Sequence, residues 1–275
     1  MTVDRLAKRD ETIAMRIGAF QFRASDNLRE NHVKITAAIE QAAKENVRLL
    51  VFQECATCGY PPMERPDVES IDFRALRNHV EGIATLAQKH DIYIAIGTII
   101  KKDEHVFNST QLIDPQGKTL GTYDKRALWG WDTEMLSNFR RGSEKGIFSI
   151  DGIKVGFRIC FEVRFPEYFR ELYKEDVKLC FVSFCDVSRE DDPGRFDLIK
   201  AHLRTRAVEN IMTVVSVNST SKFQTAPTAV IDHNGLVVLE APKDREHLLV
   251  YEYTEPKSDF GIEGRKANND VLIAD

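Results

Sequence analysis

The chain has 275 residues, of which 43% are hydrophobic and 29% are charged, values that are typical of a globular protein and exclude wholesale disorder. The 38 basic and 43 acidic side chains give a formal net charge of −5. This balance argues against a partner made of nucleic acid or an anionic membrane, because no basic surplus is present to displace counterions.

Strands and amphipathic helices alternate in the first half of the predicted structure. Residues 1–12 are predicted to form a polar arm, and Ile13–Gln21 has the alternation of a first strand. Apolar residues at steps of three and four predict helices over Asp26–Asn46 and Asp72–His90. A strand is predicted after each of these helices, at Val47–Gln53 and at Tyr93–Ile100.

The second half repeats this order. Strands are predicted at Lys154–Ile159, Leu179–Phe184 and Ile211–Asn218, and helices at Pro166–Lys174 and from an Asp192 cap to about Asn210. A hairpin-like segment, Asn108–Gly117, has a weak echo near Ile231–Gly235. Because no flexible linker divides the chain, we predict one domain over residues 13–275, built from two related β/α halves whose sheets pack together under helices.

The apolar runs are too short for a membrane-spanning helix, which needs about 20 residues. The charged N-terminus has no apolar stretch behind its basic residues, so we expect no secretory signal. The number of cysteines is odd, five in all, and a disulfide framework is not expected. These features favour a reducing cytoplasm.

Two reactive side chains follow predicted strands. Glu54 comes directly after Val47–Gln53, at the strand end where α/β sheets bind ligands. Cys160 comes directly after Lys154–Ile159, and a turn from strand to helix would present its thiol beside free backbone N–H groups. Taken alone, each residue also has an ordinary structural interpretation, as a loop carboxylate or as a small core side chain.

Other candidates are weaker. Lys125 follows a strand-like stretch, but its position alone does not distinguish a site residue from a solvated one. Cys55 and Cys58 have the spacing of zinc ligands, but Cys180 and Cys185 make a poor second pair. No phosphate-binding glycine motif occurs, so nucleotide binding has no support.

Three short segments stand out, in this order: Leu50-Val-Phe-Gln-Glu54, Tyr123-Asp-Lys125 and Ile159-Cys-Phe-Glu-Val-Arg-Phe-Pro-Glu167. Together they resemble the carbon-nitrogen hydrolase (nitrilase) superfamily, in its amidase-like branch. The resemblance extends from about Arg16 to Tyr253. It implies an α/β fold, a four-layer α-β-β-α sandwich of two mixed sheets with pseudo-twofold halves, which agrees with the two halves predicted above.

The resemblance also implies a catalytic triad, which maps onto Glu54, Lys125 and Cys160. A second glutamate often follows the lysine in this family, and Glu134 is the candidate. The backbone N–H of Phe161, together with Lys125, would stabilise an oxyanion. The family implies no metal and no other cofactor, and it implies a homodimer.

The function that follows is that of a thiol amidohydrolase acting on a small linear amide through a cysteine thioester. N-carbamoyl compounds and nitriles remain alternative substrates. Three positions depart from the family pattern, Ala127, Arg158 and Leu203, and they leave the substrate open. The charged loop 186–195 is predicted to be a solvated surface, and contact of Arg189 or Arg195 with an acidic substrate is a hypothesis.

Two functions of other classes remain open. A metal-dependent phosphodiesterase could use Gln53-Glu54 and Asp232-His233, but it would leave Cys160 and Lys125 without a role. A non-catalytic binding protein could retain the fold without turnover. Sensitivity to EDTA would favour the first alternative, and failure of Cys160 to react with iodoacetamide would favour the second.

Overall fold

The computed structural model describes residues 14–133 and 138–273. The strands in these ranges are β1 (Ala14–Gln21), β2 (Leu49–Phe52), β3 (Tyr93–Lys102), β4 (His105–Ile113), β5 (Thr119–Asp124), β6 (Ile147–Ile150), β7 (Ile153–Ile159), β8 (Leu179–Phe184), β9 (Thr213–Asn218), β10 (Ala229–Ile231), β11 (Val237–Glu240) and β12 (His247–Thr254). The α-helices are α1 (Leu28–Lys44), α2 (Phe73–His90), α3 (Pro166–Lys174), α4 (Pro193–Asn210) and α5 (Phe260–Leu272).

The described strands form two mixed sheets of six strands each. The first has the order β12-β1-β2-β3-β4-β5, and the second has the order β11-β10-β9-β8-β7-β6. In each sheet three parallel strands are followed by two antiparallel ones, β1-β2-β3 with β4-β5 and β7-β8-β9 with β10-β11. A further antiparallel strand lies at the other edge, β12 beside β1 and β6 beside β7. The two sheets thus repeat one topology, as the predicted pseudo-twofold halves require.

Four layers follow from how the apolar side chains pack. One core cluster lies between the sheets and contains Ile17 and Val51 from the first and Phe157 and Phe181 from the second. A second cluster joins the first sheet to α1 and α2, and a third joins the second sheet to α3 and α4. β2, β8 and β9 are covered on both faces and buried at every position, and most of their residues are accordingly apolar. The predicted fold class is confirmed.

Helix starts follow the capping residues of the sequence. Asn27 and Asp72 cap α1 and α2 by accepting hydrogen bonds from backbone N–H groups of the first turn. Asp192 caps α4 in the same way, with Pro193 in its first turn, as predicted. The predicted bounds of α3 and β8 are also confirmed.

Residues 1–13 lie outside the described ranges, so the division into an N-terminal arm and one domain stays a prediction. None of the described helices has the length and apolar content needed to cross a bilayer.

Candidate active site

Glu54 lies in the turn that leaves β2. Cys55, the next residue of this turn, has the left-handed φ of 51°, and the Glu54 side chain is buried, with 1% exposed. One carboxylate oxygen accepts hydrogen bonds from Lys125 Nζ at 2.9 Å and from Asn108 Nδ2 at 2.7 Å. The other accepts from the backbone N–H of Cys185 at 2.8 Å. The three donors that hold this carboxylate thus come from three other segments of the chain.

Lys125 follows β5 and is also almost completely buried. Its backbone N–H donates to Asn108 at 2.8 Å, which fixes the segment after the strand. Its ammonium group lies between two carboxylates, 2.9 Å from Glu54 and 2.8 Å from Asp132. It also lies over the ring of Tyr60, 5.6 Å from the centroid. A lysine in this setting remains charged and cannot turn towards solvent.

Asp132 is the second carboxylate of the site. It ends a short 3-10 turn, Gly130–Asp132, and its carboxylate is fully buried. One oxygen contacts Lys125 and accepts from the Trp129 N–H at 2.8 Å, while the other accepts from the Tyr60 hydroxyl at 2.8 Å. Asp132 is therefore a second carboxylate that orients Lys125.

Cys160 stands at the end of β7 with φ 48°, the left-handed conformation of a sharp turn between strand and helix. The other four cysteines are buried, whereas Cys160 is partly exposed. It lines a cavity of about 490 Å³ together with Tyr60, Trp129 and Phe161. Strain at a non-glycine residue of this kind is typical of a nucleophile held in a fixed direction.

The electrostatics of the three groups are coupled. Burial raises the pKa of the Cys160 thiol well above its ordinary value and Glu54 raises it further, against the opposing effect of Lys125. Burial also raises the pKa of Glu54, although Lys125 lowers it. Burial alone would lower the pKa of Lys125, but Glu54 and Asp132 outweigh it and raise this pKa well above the usual range. The resting thiol is therefore protonated, and it needs a base such as Glu54 to react.

Of the predicted residues, Glu54 and Lys125 are in direct contact. Cys160 and Phe161 line the cavity, as does Tyr60. The Tyr60 hydroxyl donates to Asp132, which also pairs with Lys125. Glu134 lies outside the described residues and stays a prediction. Four contributions were not predicted from the sequence: the Asn108 amide, the Asp132 carboxylate, the Tyr60 hydroxyl and the Cys185 N–H. Only Asn108 had a signal in the sequence, because it opens the predicted hairpin-like segment Asn108–Gly117.

The charged loop forms one wall of the cavity. Arg189 and Arg195 both line it, as does Asp186. Arg195 already makes a bidentate ion pair with Asp186, at 2.8 and 2.9 Å. Arg189 is exposed and has no ion pair among the residues that the structure describes. Of the two arginines in the hypothesis of an acidic substrate, Arg189 is the one whose guanidinium pairs with no carboxylate in the described part of the chain.

Within residues 14–133 and 138–273, His, Cys, Asp and Glu side chains form no group of three that could hold a metal ion. Cys55 and Cys58, whose spacing resembles that of zinc ligands, are buried thiols. The Glu54 oxygens, which a phosphodiesterase would direct at a metal, are instead bonded to Lys125, Asn108 and Cys185.

Comparison with known proteins assigns the family. A family model described as carbon-nitrogen hydrolase matches residues 16–255. The chain belongs to the carbon-nitrogen hydrolase family. The family and the enzyme class expected from the sequence are thereby confirmed, and the phosphodiesterase alternative is set aside.

Relatives and solved structures agree with this assignment. The chain is 29% identical to a 2-oxoglutaramate amidase of Bacillus subtilis (strain 168) over 220 residues, 78% of this chain and 81% of that protein. It is 24% identical to a deaminated glutathione amidase of Dictyostelium discoideum, covering 82% and 83%. An amidase from Nesterenkonia sp. superimposes with a TM-score of 0.75 at 23% identity, over 94% of this chain and 95% of that one. That likeness shows that the fold is shared.

Proposed function

We propose that this carbon-nitrogen hydrolase is a thiol amidohydrolase, with Cys160 as nucleophile, Glu54 as base and Lys125 as oxyanion donor. One observation carries the proposal: among the described residues, Cys160 is the only partly exposed cysteine, and it lines a cavity together with Tyr60. The Tyr60 hydroxyl donates to Asp132, the carboxylate that pairs with Lys125 beside Glu54. A neutral thiol, a buried carboxylate and a fixed ammonium are the three groups that acyl transfer to sulfur requires.

Acylation begins when Glu54 takes the proton of the Cys160 thiol while the sulfur attacks the amide carbon. The carbonyl π electrons move to oxygen, and Lys125 and the Phe161 N–H stabilise the oxyanion that forms. Loss of one such donor costs about 100-fold to 1,000-fold in kcat in comparable sites. Glu54 then returns its proton to the nitrogen, the C–N bond breaks, and ammonia or an amine leaves a thioester on Cys160.

Deacylation uses the same groups. Glu54 removes a proton from water, whose oxygen attacks the thioester carbon, and the second oxyanion lies against the same donors. When the C–S bond breaks, the proton returns to sulfur and the carboxylic acid leaves. Asp132 keeps Lys125 in place through both steps, because it pairs with the ammonium group and is itself held by the Tyr60 hydroxyl.

The proposed substrate is a small linear amide. Support comes from the names of the relatives, which specify amidases, and from the cavity, whose volume of about 490 Å³ suits a small molecule. Arg189 at the cavity wall favours testing amides that also carry a carboxylate. N-carbamoyl compounds and nitriles are alternatives, and two other relatives are named nitrilases.

Further predictions from the sequence belong to this proposal. We propose that Glu134 assists Lys125 alongside Asp132, that the protein is a homodimer, and that it acts in the cytoplasm. Neither nucleic acid nor a membrane is proposed as a partner, since the acidic composition offers no surplus of basic side chains.

The test is ammonia release from panels of neutral amides, acidic amides, N-carbamoyl compounds and nitriles. Cys160→Ala should abolish release from every compound that the unchanged protein hydrolyses. Cys180→Ala is the matched control, because Cys180 is buried in β8 and does not line the cavity. Full activity in Cys160→Ala would contradict the proposal.

Thiol alkylation separates an enzyme from a non-catalytic relative of the same fold. Under limiting iodoacetamide, mass spectrometry should find Cys160 modified before Cys55, Cys58, Cys180 and Cys185. Equal labelling of the five thiols would favour a protein that has retained the fold without catalysis.

A further inference from the structure

Glu162 is a fully buried carboxylate that the proposed reaction does not use. It lies two residues after Cys160 and is 0% exposed. One oxygen accepts from the backbone N–H groups of Arg126, at 2.6 Å, and Ala127, at 3.2 Å. The other accepts from the Ile159 N–H at 2.7 Å and from the Tyr123 hydroxyl at 2.8 Å. All four partners are donors, so both oxygens act only as acceptors.

Two of these donors are sequence neighbours of the reactive residues. Ile159 immediately precedes Cys160, and Arg126 immediately follows Lys125. The two segments extend β7 and β5, which belong to different sheets and are not paired in the described topology. The Glu162 carboxylate therefore joins the backbone that carries the thiol to the backbone that carries the ammonium, each through hydrogen bonds to a residue next to the reactive one.

We propose that Glu162 is a positioning residue, whose carboxylate fixes the distance and direction between the Cys160 thiol and the Lys125 ammonium. The proposal rests on the proposed function of these two groups. Oxyanion stabilisation requires its donors near 3 Å from the forming charge, and a displacement of about 1 Å can cost about 100-fold in rate. A carboxylate held by three backbone N–H groups can impose that precision, since charge-assisted hydrogen bonds are short and stiff.

Glu162→Gln should keep the hydrogen bonds to the Arg126 segment and lose the hydrogen bond from the Ile159 N–H. The new NH₂ group cannot face the Arg126 and Ala127 N–H groups, because all three are donors. It should therefore face Tyr123, whose hydroxyl can accept, and the Ile159 N–H should lose its partner. We expect kcat to fall about 100-fold with KM little changed, because the interaction that is lost acts on the geometry of the transition state.

Glu171→Gln is the matched control. Glu171 lies on α3 and accepts from the Arg126 side chain at 2.5 Å and from the Arg158 side chain at 3.2 Å. The substitution is the same and the neighbourhood overlaps, but no backbone donor beside Cys160 or Lys125 is involved. We expect kcat within about twofold of the unchanged protein.

The readouts distinguish positioning from mere stability. Each variant is assayed at a temperature where denaturation curves show it to be folded, and the iodoacetamide alkylation rate of Cys160 is measured beside kcat and KM. A folded Glu162→Gln protein with unchanged kcat and alkylation rate would overturn the proposal, even if it unfolded at a lower temperature. If Glu162→Gln does not fold, Glu162→Asp decides, because its carboxylate is shorter by about 1.5 Å and cannot reach both segments.

Failure of the proposed function would appear differently. In that case the unchanged protein would release no ammonia from any compound in the panel. The alkylation rate of Cys160 would still report whether Glu162 orients the thiol, since that measurement needs no substrate.

Discussion

At the scale of single residues, the site is a buried cluster of two carboxylates and one ammonium. Taking these charges out of water costs free energy, which is recovered only where each has close partners. Lys125 contacts both Glu54 and Asp132, so the cluster has one negative charge more than it has positive charges when both acids are ionised. That excess, added to burial, raises the pKa of Glu54 and makes it a stronger base for the thiol.

Asp132→Asn tests this account of the base. Burial is the main cause of the raised pKa of Glu54, and the Asp132 charge adds to it, so removal of that charge should lower the pKa. Glu54 must be ionised to act as base, and kcat/KM therefore rises with pH through its pKa. We expect the acidic limb of the kcat/KM profile to move to lower pH, and kcat to fall about 10-fold to 100-fold because Lys125 is held less firmly.

Asp124→Asn is the control for that experiment. Asp124 immediately precedes Lys125, but its carboxylate accepts from Lys102, at 2.6 Å, and from Ser109, at 2.7 Å, and does not contact Lys125. The acidic limb should stay in place. An unmoved limb in Asp132→Asn as well would show that Asp132 does not influence the base.

At the scale of secondary-structure elements, the sequence predicted those elements whose determining residues lie within or next to the element itself. A helix cap, proline at a helix start and a mostly apolar run predicted α3, α4 and β8, because each signal lies within or next to the element. The same signals located Glu54 and Cys160 at strand ends. Lys125 needed the family resemblance, since a lysine after a strand has no local signature of a buried ion pair.

The parts that sequence did not predict depend on contacts distant along the chain. The Cys185 N–H reaches Glu54 across 131 positions, and Tyr60 reaches Asp132 across 72. Asp132 precedes the predicted Glu134 by two residues, and the sequence there has no periodicity that indicates which side chain faces the site. The C-terminal strand β12, which pairs with β1 at the sheet edge, likewise follows from tertiary pairing.

Gly97 in β3 lets the backbone of the turn after β2 pack closely against β3. A Cβ atom at this position would lie 2.0 Å from the Gln53 carbonyl oxygen and 2.7 Å from the Cys55 backbone nitrogen, on both sides of Glu54. Gly97→Ala must therefore displace the turn that carries the base. We expect a loss of about 1–3 kcal/mol in the free energy of unfolding and a lower kcat in the folded fraction, measured by urea denaturation and steady-state kinetics.

The matched control for this substitution is Gly264→Ala. Gly264 lies in α5, and a Cβ there would have no atom within 4 Å. Alanine is the better helix former, so stability should rise by about 0.5–1 kcal/mol with kcat unchanged. Equal behaviour of the two variants would mean that β3 does not constrain the Glu54 turn.

At the scale of the whole molecule, polar side chains join the two sheets where their strand ends meet. Glu64, in the segment after β2, accepts from the Ser219 hydroxyl, in the segment after β9, and from the Tyr60 N–H at 3.1 Å. Burial raises the pKa of Glu64 from 4.5 to about 7, against the opposing effect of these hydrogen bonds. The folded protein thus binds this proton more tightly than the unfolded chain does.

The sign of the resulting pH dependence follows from linkage. A raised pKa in the folded state gives a contribution to stability that is complete below about pH 4.5 and is lost as the pH rises through about 7. Glu64→Gln removes this titration. When the pH is raised from 5 to 8, the unfolding free energy of the unchanged protein should therefore fall by about 1–3 kcal/mol more than that of Glu64→Gln. Urea denaturation at both pH values measures this difference, with Glu81→Gln on the exposed face of α2 as control. If Glu64→Gln and the unchanged protein lost the same stability over this range, folding would not raise the pKa of the Glu64 carboxyl.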